Sequence, residues 1–204
     1  VTLNNNRLTP VFFSRDASNL KANSGSGVVV FDVSDYLVNG ANVLDLNKTG
    51  SAGVYPTTLV YMYNTTGSKV EKDVYIYNGA DLLGSYGGLT NPIRVDSVID
   101  VDSAKANNAV AYIFANGAVD GRGTVVINGE SEAHPWNGTS QSTDLFTKDI
   151  TSTIKDKNNV SVIFSGASGS FTALQQIIVV TKTKETPVVK KATKITAPTV
   201  TKVY

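Results

Sequence analysis

Short apolar runs separated by polar turns extend along most of the chain. The runs are rich in Val, Ile, Tyr and Phe, and they include Gly27–Val33, Leu59–Tyr63, Val74–Tyr77 and Ala109–Ala115. β-Branched and aromatic residues fit the pleated surface of a sheet, whereas the Asn and Gly between the runs tolerate tight turns. The pattern therefore predicts an all-β protein, in which the dense runs Leu59–Tyr63 and Ala109–Ala115 are buried strands.

One stretch of this pattern occurs twice. Phe31–Leu46, FDVSDYLVNGANVLDL, returns as Lys148–Ile163, KDITSTIKDKNNVSVI, at an offset of 117 positions. An ungapped comparison aligns Asp32 with Asp149, Ser34 with Thr151, Leu37 with Ile154, Asn42 with Asn159, Val43 with Val160 and Leu46 with Ile163. What recurs is a capping hydroxyl, an inward apolar residue and a turn before a strand, all of which a fold requires. The stretch therefore marks a structural repeat rather than a reactive site.

The first copy lacks the beginning of the second. Val1–Asn4 resembles Val125–Asn128 at an offset of 124, but the first copy has no counterpart of Val74–Leu83 or Ala109–Ala115. We therefore expect two tandem jelly-roll-like antiparallel β-sandwiches, the first incomplete at its N-terminus. The predicted units are residues 1–68 and 69–181, followed by an extended segment, 182–204. An incomplete sheet presents unpaired N–H and C=O groups to any partner strand.

The C-terminal segment Lys182–Tyr204 is rich in Lys, Thr, Val and Pro. One interpretation is a linker followed by the first strand of a further domain. The other is a donor strand, with Ala192, Ile195 and Val200 as apolar positions, that inserts into the incomplete domain of a neighbouring molecule. Head-to-tail donation does not close, so it would produce a filament. The expected partners are copies of the same chain or neighbouring repeats of a larger protein.

Composition narrows the classes of function. Cys is absent and His occurs once, which argues against a disulfide framework and a typical zinc site. Upstream of Lys182 acids outnumber bases, so we expect no nucleic-acid partner. No apolar run is long enough to form a membrane-spanning helix. The chain carries no P-loop, HExxH or nucleophile-elbow motif, so we expect neither an enzyme nor a cofactor, apart from calcium.

Two clusters are candidates for ligand binding. Asp96, Asp100 and Asp102 have equal parity on one predicted strand and offer oxygen ligands for Ca²⁺, although solvated strand carboxylates are the commoner arrangement. His134 and Trp136 lie in a long loop-like stretch, where an exposed indole would suit a glycan. A Trp that covers the end of the sandwich core is the alternative.

Four Asn-x-Ser/Thr sequons occur, at Asn47, Asn64, Asn137 and Asn159. In a secreted protein such sites accept glycans in surface turns, although several arise by chance in a chain rich in Asn and Thr. Asn64 and Asn137 are better placed than the other two to accept a glycan.

The ordered set FDVSDYLVNGANVL, LVYMYN and VYIYNGADLL resembles a repeat domain of adhesin-like surface proteins known chiefly from methanogenic archaea. The tail KKATKITAPTVTKVY is similar to the opening of immunoglobulin-like repeats in such proteins. The resemblance implies an extracellular, cell-surface β-sandwich without catalytic residues to transfer. A structural module of a surface protein or filament is therefore the first hypothesis, and a carbohydrate-binding module is the second.

Overall fold

In the part that the structure describes, the sheets are antiparallel β-sheets and no helix occurs. The computed structural model describes residues 1–16, 27–51, 53–54, 57–63, 65–86, 89–90, 93–119, 121–139 and 142–184. The all-β prediction is confirmed. Since these ranges hold no helix, they also hold none that is long and apolar enough to cross a bilayer.

Many of the strands, but not all, follow apolar runs of the sequence. They are β1 (Thr2–Leu3), β2 (Asn6–Arg7), β3 (Pro10–Arg15), β4 (Gly27–Phe31), β5 (Leu44–Asp45), β6 (Val70–Tyr77), β7 (Asp81–Tyr86), β8 (Leu89–Thr90), β9 (Arg94–Asp100), β10 (Ala106–Asn116), β11 (Gly123–Ile127), β12 (Glu130–Ala133), β13 (Thr143–Asp149), β14 (Lys157–Phe164) and β15 (Ser170–Thr183).

Strands β6–β15 form a sandwich of two sheets. One sheet has the order β13-β10-β15-β7-β8, and β6 also pairs with β15. The other has the order β12-β11-β14-β9. The 14-residue strand β15 pairs with β10 along one edge; along the other it pairs first with β7 and then, from Gln176 onward, with β6.

The core of this sandwich comes from strict alternation along its central strands. Ala109, Ala111, Ile113 and Ala115 of β10 are all fully buried, while the residues between them are partly exposed. They belong to one apolar cluster with residues of the facing sheet, among them Val160 of β14. Burying such side chains contributes about 1.5–3 kcal/mol for each large aliphatic residue.

Strands β1–β5 form two smaller sheets, with the order β2-β1-β5 and the hairpin β3-β4. Within the described residues no ladder joins them to β6–β15. A hydrogen bond from the Leu82 N–H to the Asp16 carboxylate, 3.1 Å long, does connect the two regions.

Candidate functional site

Asn128 fixes the turn between β11 and β12. Its φ of 53° lies in the left-handed region, which Asn tolerates better than most residues. Its side-chain amide donates to the Thr153 carbonyl and to Oδ1 of Asn158, each at 2.8 Å. Its Oδ1 accepts from the backbone N–H of Asn159 at 3.0 Å. Asn128 therefore ties its own turn to the turn that precedes β14.

Asn4 makes the same contacts in the first repeat. Its amide donates to the Tyr36 carbonyl at 2.9 Å and to Oδ1 of Asn42 at 2.8 Å. Its Oδ1 accepts from the Val43 N–H at 2.9 Å, and its φ is 50°. The two repeats thus share the turn down to individual hydrogen bonds.

These contacts correct the ungapped alignment. Asn42 occupies the place of Asn158, although the sequence comparison paired it with Asn159. The reason is the length of the turn. In the first repeat Val38 and Asn42 hydrogen-bond to each other, whereas in the second repeat Lys155 and Asn158 do so. The second repeat is one residue shorter here.

The strand ladders give the corrected register. Leu3 pairs with Leu44, and the equivalent Ile127 pairs with Val160. Leu44, rather than Val43, therefore corresponds to Val160. The same offset matches Leu46 to Val162 instead of Ile163.

Equivalent positions of the two repeats differ sharply in burial. Val160 and Val162 are 0% and 1% exposed, whereas Leu44 and Leu46 are 40% and 43% exposed. Several other large apolar side chains of the first repeat are also exposed: Val11, Phe12, Phe13, Val29, Val38, Val54, Leu59, Val60, Tyr61, Met62 and Tyr63. We call this set, with Leu44 and Leu46, the open apolar face. A contiguous apolar patch marks an interaction surface more often than scattered apolar residues do.

The second repeat shows which strands cover the corresponding surface. There β9 pairs with β14, and β10 lies between β13 and β15. In the first repeat β5 pairs with β1 and β4 pairs with β3, and the described residues supply no equivalent of β9 or β10.

The prediction of a central strand at Leu59–Tyr63 is wrong. Residues 57–63 carry no strand pairing, and the side chains of this run are exposed. Its sequence suits a strand, but a central strand needs a hydrogen-bonded neighbour on each edge. In the second repeat that neighbour is β10.

The repeated Asp residues cap turns. Asp32 accepts from the N–H and the hydroxyl of Ser34, at 3.0 and 2.7 Å, and Asp149 accepts from the N–H of Thr151 at 2.8 Å. The bonds from Ser34 lower the pKa of Asp32, and those from Thr151 lower the pKa of Asp149. These carboxylates therefore hold the turns by accepting hydrogen bonds from backbone N–H groups.

The three candidate calcium ligands engage three different cations. Asp96 pairs with Arg94 at 2.7 Å, Asp100 lies 4.0 Å from Lys157, and Asp102 accepts from Lys182 at 2.6 Å. No group of three or more His, Asp or Glu in the described part of the chain could hold a metal ion. The structure thus does not assemble the three carboxylates into one ligand set, and calcium binding stays a prediction.

Lys182 has a role that the sequence did not indicate. We assigned it to the tail, but it lies in β15 opposite Glu71 and is buried. Its ammonium lies 2.8 Å from Asp73 and 2.6 Å from Asp102, and these hydrogen bonds raise its pKa while lowering that of Asp102. Lys182 therefore connects β6, β15 and the segment after β9. Its place just after the apolar run Ile177–Val180 was the available signal.

Trp136 is a core residue, so the hypothesis of an exposed indole for stacking on a sugar is wrong. It is 2% exposed, its indole N–H donates to the Ile113 carbonyl at 3.2 Å, and its ring lies 5.5 Å from that of Phe171. A Cβ on Gly123 would collide with the indole. His134 is exposed and has a φ of 55°, but no exposed indole accompanies it.

The remaining predicted sites divide into two groups. Asn47, Asn137 and Asn159 are exposed, although Asn159 lies within β14. Asn64 and the tail positions Ala192, Ile195 and Val200 lie outside the described residues. Glycosylation and strand donation stay predictions at these positions.

Comparison with known proteins gives a family but no activity. A search of the curated proteins finds no match. Among solved structures, the chain is similar to "BpGH86A: A beta-porphyranase of glycoside hydrolase family 86 from the human gut bacterium Bacteroides plebeius", with a TM-score of 0.39 and 18% identity. This similarity covers 57% of the chain and 21% of that protein. The family model described as "Protein of unknown function (DUF3344)" matches residues 1–181, and the chain therefore belongs to this family.

Proposed function

We propose that this protein is a structural module of an extracellular, adhesin-like surface protein or filament, and that a donated β-strand pairs with its first repeat. The observation that carries the proposal is the contrast between Leu44 and Val160. The two residues occupy the same position in the strand ladders of the two repeats, but Leu44 is 40% exposed and Val160 is 0% exposed. A position that is core in one repeat and exposed in its twin indicates a surface that is covered in the assembled state.

The C-terminal segment of a neighbouring copy is the proposed donor. Strand β15 ends at Thr183, and the Lys184 N–H still bonds to the Lys69 carbonyl; residues 185–204 follow in the sequence. These 20 residues can extend about 66 Å at roughly 3.3 Å per residue. A strand as long as the 11-residue β10 needs about 36 Å of that length, which leaves the rest as a spacer.

The resemblance of the repeat motifs to surface-protein repeats supports an extracellular location, and the exposed sequons at Asn47 and Asn137 are compatible with it. Glycan acceptors function in secreted proteins. Intact-mass measurement on protein from its native source, before and after enzymatic deglycosylation, tests this part of the proposal.

Assembly of the intact chain tests strand donation. We expect concentration-dependent polymers by light scattering and threads by electron microscopy, both abolished when residues 185–204 are deleted. A synthetic peptide of residues 185–204 should then bind the shortened chain. A monodisperse monomer from the intact chain would refute the proposal.

Two leucines provide a matched pair for the acceptor site. Leu44→Lys places a charge on the open apolar face and should weaken assembly strongly. Leu145→Lys changes a leucine of similar exposure, 43% against 40%, on the edge strand β13 and should leave assembly intact. Equal loss in both variants would indicate a non-specific effect of charge.

A further inference from the structure

Asn-Gly pairs recur along the chain, and the structure holds them to very different degrees. An asparagine before glycine can cyclise through its side chain, because glycine has no side chain to shield its backbone nitrogen. Ring closure requires that the asparagine amide and the glycine N–H are free to approach each other. The pairs are Asn39-Gly40, Asn78-Gly79, Asn116-Gly117, Asn128-Gly129 and Asn137-Gly138.

Two of these asparagines have engaged side chains. The Asn128 side chain makes the three hydrogen bonds that join its turn to the turn before β14. The Oδ1 of Asn78 accepts from the Gln175 amide at 2.6 Å. These bonds must break before either side chain can reach the nitrogen of the next residue.

Two other pairs have engaged backbones. The Gly117 N–H donates to the Ser142 carbonyl at 2.7 Å, so the nitrogen that would attack is occupied. Gly138 forms a parallel β-bridge with Val119, which holds the backbone after Asn137. Cyclisation at either pair therefore has to disrupt backbone pairing.

The pair Asn39-Gly40 combines exposure with freedom. Both residues are exposed, and a Cβ on Gly40 would meet nothing within 4 Å. Among the described residues, neither the Asn39 amide nor the Gly40 N–H has a hydrogen-bond partner. The Gly40 carbonyl accepts from the Asn42 amide at 3.1 Å, but this bond does not involve the reacting atoms.

We propose that Asn39 is the site at which the folded chain deamidates spontaneously. The Gly40 nitrogen gives its proton to hydroxide and attacks Cγ of Asn39. The new C–N bond displaces Nδ2, which takes up a proton from water and leaves as ammonia, so a succinimide remains. Water then opens the ring at one of its two carbonyls and yields aspartate or isoaspartate. The other reactants are therefore water and hydroxide.

The isoaspartate product changes the turn before β5. It adds one atom to the main chain between Val38 and Asn42, which hydrogen-bond to each other through two bonds of 2.9 Å. Because turn geometry fixes strand register, the ladder of β5 with β1 should be weakened, whereas the second repeat should be unaffected. The chemical step itself does not depend on assembly of the chain.

The test incubates the intact chain in mildly alkaline buffer and follows each Asn-Gly pair by peptide mapping and mass spectrometry. Labelling with an isoaspartyl methyltransferase identifies isoaspartate. Each hydrogen bond that must break slows the reaction by about two- to tenfold. Since Asn128 has three such bonds, Asn39 should react at least about tenfold faster than Asn128 in the folded chain. In urea the pairs should react at similar rates.

Two variants complete the test. Asn39→Gln should abolish the modification at this turn, because a longer side chain closes the ring much more slowly. Asn158→Ala removes one acceptor of the Asn128 amide and should raise the rate at Asn128 by about two- to tenfold without changing the rate at Asn39. The proposal is overturned if Asn39 reacts no faster than Asn128 in the folded chain, or if the same ratio of rates persists in urea.

Discussion

A lysine placed at equivalent positions of the two repeats should have opposite effects on folding and assembly. At Val160, which is fully buried, the ammonium cannot reach water. Burial lowers a lysine pKa by about 3–5 units, which corresponds to roughly 4–7 kcal/mol at about 1.4 kcal/mol per unit. Because a domain is stable by only about 5–15 kcal/mol, Val160→Lys should bring the second repeat close to unfolding.

At Leu44, which is 40% exposed, the lysine can direct its ammonium into water while its methylenes cover the sheet. We expect Leu44→Lys to change the free energy of unfolding by no more than about 0.5–1 kcal/mol. In the assembled state the same lysine would be covered by the donor strand. Assembly should then weaken by about 1000-fold, the equivalent of roughly 4 kcal/mol.

The assay is urea denaturation, followed by far-UV circular dichroism for the strands of both repeats and by tryptophan fluorescence for the second repeat. Trp136 is the single Trp of the chain and lies in the core of the second repeat, so its emission reports on that repeat. The parent chain and both variants are measured at a concentration below that of assembly. If Leu44→Lys destabilises this transition as much as Val160→Lys does, or if it assembles like the parent chain, the interpretation of the open apolar face is wrong.

Three further predictions concern the complete sandwich. Asn128→Ala loses three side-chain hydrogen bonds at a positive φ and should lower the free energy of unfolding by about 3–4 kcal/mol in urea titrations, whereas a loss below about 1 kcal/mol would contradict the role of this turn. Gly123→Ala forces a methyl group against Trp136, so we expect a red-shifted emission and a loss of about 1–3 kcal/mol, while Gly79→Ala, with 3.4 Å to its nearest neighbour, should be tolerated. The lowered pKa values of Asp102 and Asp149 stabilise the fold above the ordinary Asp value of 3.8 and lose this effect as the pH falls through their folded-state values. The raised pKa of Lys182 stabilises the fold at pH values below the ordinary lysine pKa of 10.5. The thermal midpoint should therefore be flat from about pH 5 to 9 and fall below about pH 4, and the fall should be smaller in Asp149→Asn. An unchanged midpoint at pH 3 would contradict this expectation.

The sequence predicted strands where local pattern and tertiary environment agree. β10 and β14 were found because their β-branched runs are buried in a complete sheet. Leu59–Tyr63 has an equally strong pattern but forms no strand, because β-structure depends on a neighbour that local sequence does not encode. That the described residues of the first repeat hold no equivalent of β10 was nevertheless predictable, since the second repeat provides a template within the same chain.

The details of the sites were less predictable. Two consecutive asparagines, Asn158 and Asn159, allowed an ungapped alignment to match the wrong one. Lys182 was overlooked because the Lys-rich composition of the tail concealed its contacts within the sandwich.

The difference of one residue in the turns before β5 and β14 restricts how the two repeats can exchange sequence. Insertion or deletion of a residue in a turn is absorbed locally, whereas within a strand it would exchange every inward side chain for an outward one. A chimera that replaces residues 38–42 with 155–158 as a whole keeps Leu44 and Val160 in register. A crossover placed at the ungapped offset inside the strand would instead shift the strand register by one residue and turn the inward side chains outward, although the reading frame of the gene would be intact.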